Sequence, residues 1–163
     1  MIRNAQMRDV KAMYDLLDHF ADKGLLLGRS LSSLYDQLRD FQVFVEEGDA
    51  GEEIVGVCAL HICWENLAEI RSLAVKESAQ SKGIGRQLVE ACLLEVEALG
   101  IKQVFTLTYQ PDFFRHRGFD PIDKKELPHK VWSDCINCPK FPDCNEEAMI
   151  WNSSGHGHKE ITC

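Results

Sequence analysis

Glu69-Ile70-Arg71-Ser72-Leu73-Ala74-Val75, followed closely by Gln80-Ser81-Lys82-Gly83-Ile84-Gly85-Arg86, is the stretch that organises this chain. The first segment reads as a strand, and the break in strict alternation around Ser72 points to a bulge. The second is a loop that opens a helix. Leu88, Val89, Cys92, Val96 and Leu99 form the expected inner side of that helix, and Gly100 stands in the C′ position that ends it. Gly83 and Gly85 let the backbone turn tightly and approach a ligand without Cβ interference. The helix start adds free N–H groups and the positive end of its dipole. A phosphate or pyrophosphate is the natural guest, and Lys82 and Arg86 add charge. No Gly-Lys-Ser/Thr follows, so this is not a Walker loop. Leu88 stands where a dinucleotide fingerprint needs its third glycine.

The neighbouring segments fit a mixed α/β domain. Upstream, Val10, Met13, Tyr14, Leu17, Phe20 and Ala21 recur at helical steps up to Gly24. A short helix follows Ser30, which caps it together with Ser32 as the alternative; Leu34, Leu38 and Phe41 supply its expected buried side. The period then changes to that of strands at Val43–Val45 and Ile54–Trp64, with turns at Gly48–Gly51 and Glu65-Asn66. Downstream come a strand at Val104–Thr108, a helical turn at Phe113–His116 and a strand at Phe119–Ile122. This order predicts a largely antiparallel sheet flanked by helices.

Bulk properties narrow the function. The 163 residues are 45% hydrophobic, enough for one domain with a real core. We expect that domain to span residues 1–151, with a Cys-rich segment at 124–150 and a mobile polar tail at 152–163. The net charge of −8 disfavours sequence-independent nucleic-acid binding. No apolar run approaches the ~20 residues needed to span a bilayer, and the first residues carry no signal-peptide pattern. A reducing cytoplasm is the expected location, and seven cysteines make a full disulfide framework improbable there.

From Leu67 to Leu99 the chain resembles the acetyl-CoA-binding motif of the GNAT superfamily of N-acetyltransferases. The strand at Val104–Thr108 with Phe113-Phe114-x-x-x-Gly118-Phe119 resembles its second element. A narrower resemblance is to N-acetylglutamate synthases, which act in the first step of arginine biosynthesis. It rests on Cys58-Ala59-Leu60-His61, Trp64, Glu69–Val75 and Leu107-Thr108. Leu25-Leu26-Leu27-Gly28-Arg29-Ser30 resembles their substrate segment, and Leu127–Trp132 resembles one compact branch of them.

The resemblance implies a sheet that splays after the bulged strand and holds acetyl-CoA in the opening. Leu73, Ala74, Val75, Gln80, Lys82, Gly83, Ile84, Gly85, Arg86 and Phe114 would be its binding residues. Backbone N–H groups near Leu73 and Val75 would face the thioester oxygen, where charge develops in the transition state. Leu27, Arg29, Arg71 and Lys130 would meet the amino-acid substrate. Arginine offers a carboxylate two parallel bonds, and lysine offers a point charge. Glu69 is the candidate base that deprotonates the incoming amine through water; a strand carboxylate facing solvent or paired with Arg71 is the alternative. Phe114 stands where many of these enzymes carry a tyrosine acid. A thiol of pKa about 8.5 leaves without much protonation, so no general acid is assigned.

Two features depart from the longer synthases. The 163 residues are expected to lack the kinase-like domain that binds arginine in those enzymes. It also carries Cys135-x-x-Cys138-x5-Cys144, three thiols that suit structural zinc with His129, Cys163 or a tail histidine as fourth ligand. Free thiols, or an adventitious disulfide formed during purification, are the alternative. Homodimers are common in the superfamily, and the sequence leaves the oligomeric state open. Acetylation of another small amine or a protein N-terminus, or acetyl-CoA binding without turnover, would use the same loop.

Overall fold

The computed structural model describes residues 1–128 and 146–153. Its elements are β1 (Ile2–Asn4), α1 (Val10–Asp22), α2 (Leu31–Asp36), β2 (Phe41–Gly48), β3 (Gly51–Trp64), β4 (Leu67–Val75), α3 (Ile84–Leu99), β5 (Gln103–Thr108), α4 (Pro111–Arg115), β6 (Asp120–Pro121) and β7 (Glu147–Asn152). The seven strands form one sheet in the order β1-β2-β3-β4-β5-β7-β6. Of the pairs whose direction is resolved, only β4 with β5 is parallel. By contact density the chain divides into two compact units: residues 1–60 with 70–94, and 61–69 with 95 onward.

In the first unit, β2 alternates buried and half-buried residues from Phe41 to Glu46, the period expected of a strand with one face on a core. That core joins Val10, Met13, Leu17 and Phe20 of α1 with Leu34 of α2, Val57 and Ala59 of β3 and Ala74 of β4. Each large side chain buried there is worth roughly 1.5–3 kcal/mol. Gly24 (φ +71°) ends the exit from α1, with Gly24 and Leu25 donating back to Ala21 O and Phe20 O. Ser30 is the cap of α2: its hydroxyl accepts from the Ser33 amide at 3.1 Å. Phe41, expected on the inner side of that helix, is instead the first residue of β2; a 3-10 turn at Leu38–Asp40 breaks the helical period before it.

α3 covers the other face of β3. Cys92 Sγ lies 3.7 Å from Cys58 Sγ, and both are fully buried. Their mutual hydrogen bond and burial push the Cys58 thiol pKa well up, so it stays protonated and unreactive. Gly56 seats the start of α3, since a Cβ there would stand 3.0 Å from Ile84 and Leu88. Leu88, Val89, Cys92 and Val96 are buried as expected, but Leu99 is 51% exposed. It sits in the last turn, where Gly100 (φ +77°) and Ile101 fold the chain back onto Glu97 O and Val96 O.

In the second unit, β4 and β5 pair from Leu67↔Gln103 to Glu69↔Phe105, while β4 itself continues to Val75. β5 then pairs with β7 from Gln103↔Asn152 to Thr108↔Glu147. Phe105, Cys63, Leu67, Ile122, Leu127, Ala148 and Ile150 form the core there. β7 has no counterpart in the sequence reading. Ala148-Met149-Ile150 is a short continuous apolar run, buried on both faces, and so shows no alternation. β1 is three residues long and also escaped the pattern.

Candidate active site

The link from β4 to α3 forms the loop that the sequence singled out. Ser72 in β4 has φ +55°, which is the local break expected there. Lys76 N donates to Val55 O at 2.7 Å, beside a register shift between β2 and β3. A 3-10 turn at Glu77–Ala79 follows. Glu77 is tied to the C-terminal end of α1 by Lys23 and by His19 Nε2 at 3.0 Å, and the hydrogen bonds from Lys23 and then His19 hold its carboxyl below the usual range. Gln80 Nε2 donates back to Val75 O at 3.0 Å, which closes the loop onto the strand.

Ser81 (φ +68°) and Gly83 (φ +78°) are both left-handed. A Cβ on Gly83 would stand 3.4 Å from Arg86 Nη2, so the concave side of the turn is filled by that guanidinium. Gln87 N makes the first helical bond, to Gly83 O at 3.1 Å. The amides of Ile84, Gly85 and Arg86 therefore precede the helical ladder and point out of its start. Lys82 lies 3.9 Å from Glu46 and Arg86 lies 3.9 Å from Glu90, both exposed. Such long surface pairs are worth little and are readily given up to a phosphate. The residues present fit a pyrophosphate.

A second constellation lies in the same unit. Arg29, between α1 and α2, is half-buried. Its Nε and Nη2 donate to Ser33 Oγ at 3.0 and 2.9 Å, its Nη1 donates to Ser72 Oγ at 3.3 Å, and its Nη2 also donates to Gln37 Oε1. Arg71 Nη2 donates to the same Gln37 oxygen at 2.8 Å. The Arg29 guanidinium lies 5.6 Å from the Phe41 ring centroid. Ser33 and Gln37 stand four residues apart and so share a side of the helical turn. Gly28 brings this segment to α1, since a Cβ there would stand 3.3 Å from Ala21 Cβ. The structure thus brings two of the four expected substrate residues together. Neither Ser33 nor Gln37 was singled out by sequence, because their partners are distant in the chain.

The other expected residues are placed as follows. Leu27 is exposed on the loop before Arg29. Leu73 and Val75 are half-buried in the part of β4 past its ladder with β5, and Ala74 is buried in the first core. Glu69 is half-buried in the second unit, in register with Phe105. Phe114, 3% exposed, packs edge-on against Phe113 (5.1 Å) and Phe119 (5.2 Å). Lys130, Cys135, Cys138 and Cys144 lie outside the described residues. Among the described residues no group of three His, Cys, Asp or Glu side chains could hold a metal ion, and no helix is long and apolar enough to cross a membrane.

Comparison with known proteins decides what such an arrangement belongs to. The acetyltransferase (GNAT) domain family matches residues 39–121. The chain belongs to the GNAT family. It is an acetyl-CoA-dependent N-acetyltransferase of the GNAT type with the GNAT fold. An uncharacterised N-acetyltransferase of Chlorobaculum tepidum is 40% identical over 91% of this chain and 94% of that protein. The amino-acid acetyltransferase of Mycobacterium tuberculosis is 34% identical over 82% of this chain and 76% of that protein. The N-acetylglutamate synthase of Neisseria gonorrhoeae, solved with coenzyme A and N-acetyl-glutamate, superposes with a TM-score of 0.79 at 26% identity. The match covers 93% of this GNAT chain and 34% of that longer one.

Proposed function

We propose that this GNAT enzyme acetylates the α-amino group of L-glutamate, the N-acetylglutamate synthase reaction that opens arginine biosynthesis. The observation that carries this reading is the pair of guanidiniums at Arg29 and Arg71, joined through Gln37. Two planar cations suit an acceptor rich in carboxylate. The Mycobacterium relative's name, amino-acid acetyltransferase, supports an amino-acid acceptor, and the Neisseria N-acetylglutamate synthase with N-acetyl-glutamate bound supports glutamate. Lys130 is assigned to the substrate as well.

Acetyl-CoA supplies an activated acyl carbonyl and a thiolate leaving group. Gly83 and the amides of Ile84, Gly85 and Arg86 hold its pyrophosphate, with Lys82 and Arg86 adding charge. The backbone N–H groups near Leu73 and Val75 stabilise the oxyanion that forms when the amine attacks. Glu69 takes the amine proton through water. Glu69→Gln should therefore lower kcat by about 10²- to 10³-fold and leave acetyl-CoA affinity unchanged. Unchanged kcat would remove Glu69 from the mechanism.

The test of the reading is CoA release from acetyl-CoA across amino acids, polyamines and a basic peptide. Saturable turnover with glutamate, and little with the rest, supports it. Turnover confined to another amine or to the peptide keeps the GNAT chemistry and overturns the acceptor. Tight acetyl-CoA binding with no acceptor turned over makes the protein an acetyl-CoA sensor.

A further inference from the structure

The mechanism leaves Gln37 unused, yet its side chain touches both substrate arginines. It caps the C-terminal end of α2, and its single amide oxygen accepts from Arg71 Nη2 at 2.8 Å and from Arg29 Nη2. An amide oxygen has two lone pairs, one for each guanidinium. Two like charges repel, and two long side chains have many rotamers to lose. Gln37 offsets both: it pins the two planes to one point without adding a negative charge that would compete with a substrate carboxylate. Ser33 and Ser72 hold the remaining edges of Arg29 through neutral hydroxyls. Ser72 is also the left-handed residue of β4, one position before Leu73 and three before Val75, so the cluster is anchored on the strand that carries the proposed oxyanion donors.

We propose that Gln37 is a positioning residue that sets acceptor specificity: it holds Arg29 and Arg71 side by side to receive a carboxylate. The inference rests on the acidic-amino-acid reading and adds the residue that orients its recognition groups. Gln37→Met keeps the length and loses both hydrogen bonds. Gln37→Glu keeps the bonds and adds the competing charge.

The experiment combines steady-state kinetics with NMR of the arginine side-chain nitrogens in the full chain. Gln37→Met should raise the KM for L-glutamate about tenfold, the loss expected for hydrogen bonds to a charged group. Its kcat and its KM for acetyl-CoA should change less than about twofold, a split that a folding defect would not produce. Gln37→Glu should raise the glutamate KM further. In the free wild-type protein the Arg29 and Arg71 guanidiniums should rotate slowly, and in Gln37→Met the Arg71 guanidinium should rotate faster, while Arg29, still held by Ser33 and Ser72, should change less. An unchanged glutamate KM in Gln37→Met, or equal rises for both substrates, overturns the proposal. If the wild type turns over no acidic amino acid, the acceptor reading fails on its own, and the NMR still decides: guanidiniums that rotate alike in wild type and Gln37→Met overturn the positioning role.

Discussion

The loop at Gln80–Arg86 and the cluster at Arg29, Gln37 and Arg71 both prepare a place for anions, and they do so by opposite means. At the loop the backbone is the instrument. Left-handed Ser81 and Gly83 turn the chain, and the amides of the first turn of α3 point outward, while Lys82 and Arg86 lie exposed with distant partners. At the cluster the side chains are the instrument. Two half-buried guanidiniums are oriented by an amide and two hydroxyls drawn from α2 and β4. Backbone geometry is shared by every acceptor that uses the same acetyl donor. Side-chain geometry is free to vary with the acceptor, and this division separates cofactor binding from specificity.

Substitutions in the two regions should therefore move different constants. The largest effect is expected for Arg29→Ala, which should raise the KM for glutamate roughly 10- to 100-fold, equivalent to about 1.5–3 kcal/mol, with the KM for acetyl-CoA nearly constant. Comparable rises in both would erase the distinction.

Asp9 provides a control away from both regions. Its carboxylate, 6% exposed, accepts from Arg3 Nη1 at 2.7 Å and from the Gln6 amide at 2.7 Å. The hydrogen bonds from Arg3 hold its carboxyl below the usual range. A depressed folded-state pKa means that this stability is fully present above the unfolded pKa and is lost as pH falls through the folded one. Wild-type Tm should thus drop below about pH 4, the ordinary Asp range. Asp9→Asn should lose about 1–3 kcal/mol at pH 7 and lack that acid-side drop, while both KM values stay put. A KM shift in this variant would show that general destabilisation mimics the specific effects.

Gly83→Ala should act at the loop alone. A left-handed non-glycine residue costs about 1–2 kcal/mol, and the new Cβ meets Arg86 Nη2 at 3.4 Å. The KM for acetyl-CoA should rise about tenfold, and that for glutamate should not. The smallest effect is expected for Lys82→Ala, at less than about 1 kcal/mol in acetyl-CoA binding and fading with added salt. A loss from Lys82→Ala larger than that from Gly83→Ala would mean that charge, not backbone shape, dominates the loop.

The same contrast explains what the sequence disclosed. Gln80-x-x-Gly83-x-Gly85 is local, so its spacing carries its geometry, and the local break at Ser72 and the Gly100 stop were legible for the same reason. Arg29 and Arg71 were reachable only through resemblance, and Gln37 not at all, because nothing local marks a glutamine that serves two distant arginines. Gly56, the seat of α3, looks like any strand glycine until Ile84 and Leu88 are seen against it. β7 stayed hidden because a strand buried on both faces has no alternation to read.

The most direct test of the acceptor assignment is the ratio of kcat/KM for L-glutamate to that for L-glutamine in the wild-type enzyme. The two acceptors share size and α-carboxylate and differ in one charge. Recognition of a second carboxylate by paired guanidiniums predicts a ratio of about ten or more. A ratio at or below one would contradict it.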